Sequence, residues 1–293
     1  MRTRVVLRWF ATEIALIVML QATCLIASAQ PAVQNGREHL YKFFAFDNGV
    51  GRDQNWTPQQ QAQLLAELGF DGIGYSGVQN LRDRYRVFDA AGLRIYSLYI
   101  DCWPAREQPF DPPLRKEDLA FFAGRDVTLW IVINGVTNDE QAASVLRELA
   151  DEVNKHRVRL AIYPHFGCYV ATARHALKIV KLVDRKNVGM SLNLCHELRA
   201  GNADELSRIV EESIDHLFLV SIHGADRVTD GNREQDWSRL IKPLDEGEFN
   251  VVGFLEHLSK SRYSGPIGLQ CFGLSGDTRT LLQRSKKAWD DMR

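Results

Sequence analysis

At 293 residues the chain has room for one large domain or two small ones. Lys and Arg number 36 against 37 Asp and Glu, a formal net charge of −1. No basic block stands out beyond ordinary clusters such as Lys178–Lys181, so the phosphate-tracking surface of a nucleic-acid binder is excluded.

The first residues read as a leader. Arg2, Arg4 and Arg8 precede an apolar run from Ile14 to Leu20, and Ala27-Ser28-Ala29 supplies small residues before Gln30. That order is the pattern of a secretory signal peptide over residues 1–29. The run is short for a span of about 20 residues, and Glu13 bounds it; an uncleaved anchor is the alternative. The leader predicts an exported protein, periplasmic or extracellular, with no stable membrane insertion after cleavage. Cys102, Cys168, Cys195 and Cys271 follow it at long, irregular spacing with no CxxC pair. They read as buried thiols, with one bridge between adjacent loops as the alternative.

After the polar leader Gln30–Gly36, Leu40–Phe46 is a first predicted strand, ending at Asp47-Asn48-Gly49. Thr57-Pro58 places an N-cap and a first-position proline at the start of a helix that runs to Leu68, with Gly69 as its stop. Asp71–Tyr75 is a short glycine-rich strand, Asn80–Ala91 a helix and Leu93–Asp101 a third strand. Asp111–Phe122 is predicted as the next helix, after the Pro112-Pro113 turn. Val127–Asn134 is a nearly unbroken apolar run, as a strand covered on both faces should be. Asn138–His156 is a long amphipathic helix. Leu160–Gly167, Val188–His196, Leu217–His223 and Ile267–Phe272 are apolar runs that stop at polar or ring-bearing residues. Helices over Val170–Val183, Ala203–Ile214, Val251–Ser261 and Thr278–Met292 accompany them, and the connection from Gly224 to Phe249 is the longest. Eight strands alternating with helices predict an α/β fold, a (β/α)8 TIM barrel in one domain over residues 37–293. A doubly wound open sheet is the runner-up and lacks a GxGxxG turn.

Strand parity points to a site. Ala161 and Tyr163, Ser191 and Asn193, Ser221 and His223, and Gly268 and Gln270 share faces, while the alternate positions are aliphatic. The polar set should face into the barrel at the carboxyl ends. The small residues Ala161, Ser191, Ser221 and Gly268 lie beneath it, so the expected floor is open and leaves room for a ligand.

AIYPH, VGMSLNLCH, SIHGAD, PLDEGEFN and GPIGLQCFG, in this order, resemble the sugar phosphate isomerase/epimerase group. These are xylose isomerase-like TIM barrels, a fold that AP endonucleases share. The resemblance implies a divalent metal held at the positions of Tyr163, Asn193, His223 and Gln270. Only His223 matches the usual ligand; the other three positions carry no carboxylate. His165 and His196 match histidines near the same mouth, and three imidazoles either bind a borderline metal or hydrogen-bond the ligand. Asp47, Asp101 and Asp226 are the nearest carboxylates at strand ends, each a proton carrier, a hydroxyl ligand or turn chemistry. Tyr75, Tyr99 and Asn134 offer aromatic faces and an amide.

The expectation is an exported enzyme acting on a small carbohydrate or keto-sugar by proton abstraction next to a carbonyl. His165, His196, Asp47 and Asp101 are its candidate proton carriers. Tyr75, Tyr99, Asn134, Tyr163, Asn193, His223, Asp226 and Gln270 are its candidate substrate-binding residues. A non-catalytic carbohydrate-binding protein of the same fold is the alternative.

Overall fold

Thr57 shows how the sequence sets its elements. Its hydroxyl accepts from the Gln60 amide, and the Gln60 side chain accepts from the Thr57 amide, so two orphan donors at the start of helix Pro58–Leu68 are satisfied reciprocally. Gly69, at φ 74°, ends that helix in the left-handed conformation glycine adopts without strain. Asn138, Thr172 and Asp277 cap helices Asp139–Asn154, Ala173–Val183 and Thr278–Asp291 by accepting from backbone amides of the first turn. The computed structural model describes residues 41–135, 138–227 and 237–292. The predicted leader, Leu40 of the first predicted strand and residues 228–236 of the long connection therefore lie outside the described residues.

Nine strands are present among them: β1 (Phe43–Phe46), β2 (Gly72–Ser76), β3 (Arg94–Cys102), β4 (Phe110–Asp111), β5 (Thr128–Ile133), β6 (Arg159–Ile162), β7 (Val188–Asn193), β8 (Leu217–Ile222) and β9 (Ile267–Leu269). All but β4 are parallel; β9 pairs with β1 and β2 with β3, which closes an eight-stranded barrel. The predicted TIM barrel is the observed one. Its helices lie on the outer, aliphatic side of the strands. Leu160, Ile162, Met190, Leu192, Val220, Ile222, Ile267 and Leu269 join the large core there.

One local expectation fails. Asp111 does not begin a helix; it pairs with Asp101 in the antiparallel β4–β3 ribbon, and the helix covers only Lys116–Phe121. Pro112 and Pro113 account for this, because a residue before proline is disfavoured in the helical region and prolines cannot supply interior helix donors. Conversely, an unpredicted short helix, Leu194–Arg199, directly follows β7 and carries His196. The strand itself ends at Asn193, where the sequence predicts its end; the helix that follows is not predicted.

The barrel interior is a separate cluster of Phe44, Phe46, Tyr96, Trp130, Val132, Ala161, Tyr163 and Leu219. Phe46 stacks on Trp130 at 4.7 Å, Trp130 on Tyr163 at 3.7 Å, and Phe44 on Tyr96 at 4.9 Å. The floor expected to be open is therefore filled. The small residues make room for rings from β1 and β5: a Cβ on Gly268 would lie 2.6 Å from Phe46 and 2.7 Å from Phe44. Ser191 serves the same packing, accepting from the Trp130 indole at 2.7 Å. Parity on the last four strands identifies the inward face but not how far rings from the first four reach across it. Gly268→Ala should therefore lower stability by about 1–3 kcal/mol through overpacking. An unchanged urea midpoint would contradict the close packing.

Candidate functional site

Above the ring-filled floor, at the carboxyl ends of the strands, lies a cavity of about 390 Å³. Its wall carries Asp47, Asn48, Arg52, Ser76, Tyr99, Trp130, Tyr163, His165, His196, Trp237, Gln270 and Phe272. Of the sequence-predicted residues, the barrel brings together Asp47, Tyr99, Tyr163, His165, His196 and Gln270 around this space. Tyr75 borders it too.

Asp47 follows β1 and is buried. Its carboxylate accepts from the Ser76 amide at 2.9 Å and the Ser76 hydroxyl at 2.8 Å, with the Arg52 guanidinium 3.8 Å away. Burial raises its pKa, and the Ser76 hydrogen bonds and the Arg52 charge oppose that rise.

His165 and His196 face each other, ring centres 4.2 Å apart. The Phe166 amide donates to His196 Nδ1 at 3.2 Å, so in the neutral ring the proton sits on Nε2, which meets the Tyr163 hydroxyl at 3.0 Å. Burial holds His196 well below the ordinary histidine pKa, with the neighbouring His165 and His223 pushing the same way. His165 donates from Nδ1 to the Phe166 carbonyl at 3.0 Å, which leaves Nε2 as the unprotonated nitrogen of its neutral ring. Burial lowers its pKa, outweighing the Phe166 carbonyl and the charge of Asp101.

Gln270 follows β9. Its carbonyl oxygen accepts from the Cys271 and Phe272 amides, each at 3.0 Å, and from the Asn48 amide at 2.5 Å. Two backbone donors fix which end of the amide is which, so the NH2 end is the one not engaged by the turn.

Apart from Tyr75, the remaining predicted residues lie outside the lining. The Tyr75 side chain, although beside the cavity, works on the helix side: its hydroxyl donates to Gln61 at 2.6 Å and Arg84 covers its ring. Asp101 accepts from Asn134 at 2.6 Å and Tyr99 at 3.1 Å, and so binds β3 to β5 at the rim. Asn193 is one layer down, between the hydroxyls of Ser191 and Ser221, each at 3.0 Å. Asp226 is gripped by Lys242 at 2.5 Å and Arg239 at 3.6 Å, a clamp on the long connection after β8. His223 is fully buried; Nδ1 donates to the Gly224 carbonyl at 2.9 Å and Nε2 has no partner among the described residues. Burial pushes its pKa down to about 4.

Several wall residues escape a reading of the sequence. Asn48 and Arg52 lie in a stretch that reads as turn chemistry, and Trp130 is hidden inside an apolar strand. Glu197, the buried neighbour of His196 in the chain, holds structure together. It accepts from the Ala173 amide at 2.6 Å and from Asn202 at 2.7 Å. Cys102, Cys168, Cys195 and Cys271 are free thiols, and burial raises the pKa of each.

The four positions at which the resemblance implies metal ligands do not fit a hard divalent cation. Burial raises the Tyr163 pKa far above the ordinary phenol value, so the group stays protonated. The Asn193 and Gln270 oxygens are already taken by donors, and only His223 Nε2 offers a lone pair. Among the described residues, no group of three or more His, Cys, Asp or Glu side chains is placed to hold a metal ion.

The buried neutral imidazoles set an acid sensitivity. An unfolded histidine takes up a proton near 6.5, whereas folded His223 resists until about 4. Folded protein thus binds fewer protons in that window, and stability falls as pH is lowered, by about 1.4 kcal/mol per pH unit for His223. His223→Asn, which keeps a donor for Gly224, should flatten the dependence. Equal slopes in wild type and variant, from urea titrations between neutral pH and the lower limit, would contradict it.

The comparisons with known proteins agree with this architecture. The family model for the xylose isomerase-like TIM barrel matches residues 117–291. A 3-dehydroshikimate dehydratase of Pseudomonas aeruginosa is 28% identical over 238 residues, covering 74% of this chain and 36% of that protein. The chain thus spans about a third of that relative's length. A probable 3-DHS dehydratase structure from Bacillus anthracis superposes with TM-score 0.67 at 16% identity, covering 85% of this chain and 98% of that one. A D-psicose 3-epimerase from Clostridium cellulolyticum, solved with D-tagatose, gives 0.64 at 16% identity, covering 86% and 98%. With its barrel closed and more than half its length matched, the chain belongs to the xylose isomerase-like TIM barrel family.

Proposed function

We propose that this protein removes a proton next to the carbonyl of a small carbohydrate or keto-sugar, as an exported enzyme whose chemistry does not pass through the family's metal ligands. The observation that carries the reading is His165. Its Nδ1 is committed as a donor to the Phe166 carbonyl, and its Nε2 lone pair is left as a base on the cavity wall. Around it, Asp47, Asn48, Arg52 and Gln270 supply the mixed donors and acceptors that sugar hydroxyls need, above a floor of aromatic rings. Among the relatives, one is named a dehydratase and another an epimerase. Elimination, epimerisation and isomerisation can all begin with loss of a carbon-bound proton beside a carbonyl.

The step itself is simple. The proton passes from carbon to His165 Nε2, the C–H electron pair becomes a C=C bond, and the carbonyl π pair moves onto oxygen. Delivery of a solvent proton to the opposite face, with His165 releasing its own to solvent, epimerises; expulsion of a β-hydroxyl with the His165 proton, as the carbonyl re-forms, eliminates water. His196, held between Phe166 and Tyr163, supports the site rather than taking this proton.

A second reading is a carbohydrate-binding protein without turnover. It is favoured by the neutral residues Tyr163, Asn193 and Gln270, each of which is bonded to its neighbours. Sugar-induced thermal stabilisation with no product across a panel of ketoses and keto acids would support it.

Incubation of the same panel in deuterated water tests the enzymatic reading. Wild type should place deuterium on carbon, and His165→Asn, which keeps the donor to Phe166, should slow this by about 10²–10⁴-fold. Equal incorporation by the variant removes His165 as the base. Because burial lowers the His165 pKa, the active, unprotonated form persists to below pH 6.5. The exchange rate should therefore be flat through neutrality and fall only on the acid side of that value. An acid limb centred above neutral pH would contradict the assignment.

A further inference from the structure

Among the described residues, the proton on Tyr163 has no acceptor. The Phe166 amide occupies His196 Nδ1, so neutral His196 must donate from Nε2 to the Tyr163 oxygen at 3.0 Å. Gln270 does not accept from Tyr163 either: its oxygen is taken by Cys271, Phe272 and Asn48, which leaves its NH2 end as the free end of an amide that lines the same cavity. Among the described residues no acceptor takes the Tyr163 proton. Tyr163 lines the cavity, and its ring is held by face-to-face stacking on Trp130 at 3.7 Å.

From this geometry we infer that the Tyr163 hydroxyl and the Gln270 amide form a donor pair that receives the carbonyl oxygen of the ligand. The inference rests on the reading of the cavity as a site for a carbonyl compound and adds the group that binds its oxygen. The pair stands where the family resemblance implies a cation, and it offers what an oxyanion hole offers: fixed donors aimed at the oxygen on which charge develops. A phenol that accepts a hydrogen bond, as Tyr163 does from His196, is polarised into a stronger donor. The oxygen is held by hydrogen bonds with no transfer of the phenolic proton, because the buried phenol resists ionisation. His196 is the positioning residue: it fills the phenol's acceptor side and so turns its proton outward.

Infrared difference spectra with dihydroxyacetone, isotope-labelled at the carbonyl carbon, read the pair directly. Wild type saturated with this probe should show a carbonyl band below its frequency in water. Tyr163→Phe, which keeps the stacked ring, should abolish the shift and slow any carbon–deuterium exchange by about 100-fold or more. His196→Leu should weaken the shift and His196→Gln, whose amide can still donate to the phenol, should restore it. No shifted band in wild type, or the same band in Tyr163→Phe, overturns the inference. A shifted band lost in Tyr163→Phe, with no deuterium incorporated by any protein, upholds the donor pair and refutes proton abstraction.

Discussion

The stack of Phe46, Trp130 and Tyr163 is the constraint on which the rest of the molecule depends. Three rings from β1, β5 and the end of β6 cross the barrel in nearly parallel planes, with centres 4.7 Å and 3.7 Å apart. They fill the interior that small residues on β6 to β9 vacate, and they fix the height at which the cavity begins. Tyr163 belongs to both worlds: its ring is core and its hydroxyl is site. Moving the ring would cost packing throughout the barrel, so the hydroxyl is held as rigidly as a backbone group.

Above that floor the site is organised by hydrogen-bond direction rather than by charge. The Phe166 amide decides the His196 tautomer, the tautomer decides which way the Tyr163 proton points, and the turn at Cys271 and Phe272 decides which end of Gln270 is left free. Burial keeps His165, His196 and His223 uncharged, which such a chain of donors and acceptors requires. Asp47 is the carboxylate on the wall, and Ser76 and Arg52 are its counterweights.

Much of this was legible in the residues. The alternation of strand and helix predicted the barrel, and parity on the last four strands separated Leu160, Met190, Val220 and Ile267 from Ala161, Ser191, Ser221 and Gly268 correctly. What parity cannot carry is reach. Gly268 reads as empty space until Phe44 and Phe46 are known to lean across from β1, and that is a tertiary fact. Asp101 and Asn134 each read as free groups at strand ends, yet the pairing of β3 with β5 brings them together, where they satisfy each other. His196 illustrates a local miss: six residues of helix follow β7 without a capping side chain to announce them.

The turn after β9 has a consequence for how such a site changes through descent. A glutamate substituted for Gln270 would meet two amide hydrogens and Asn48 before it met the cavity, so its charge would be spent on the turn. Installing acidic groups at 163 or 193 would bury a charge among rings or hydroxyls with no counter-ion. No single replacement toward a cation-binding barrel thus brings a gain by itself, and only several together would be useful. Selection acting one codon at a time faces a ratchet here, and lineages carrying this arrangement should keep it.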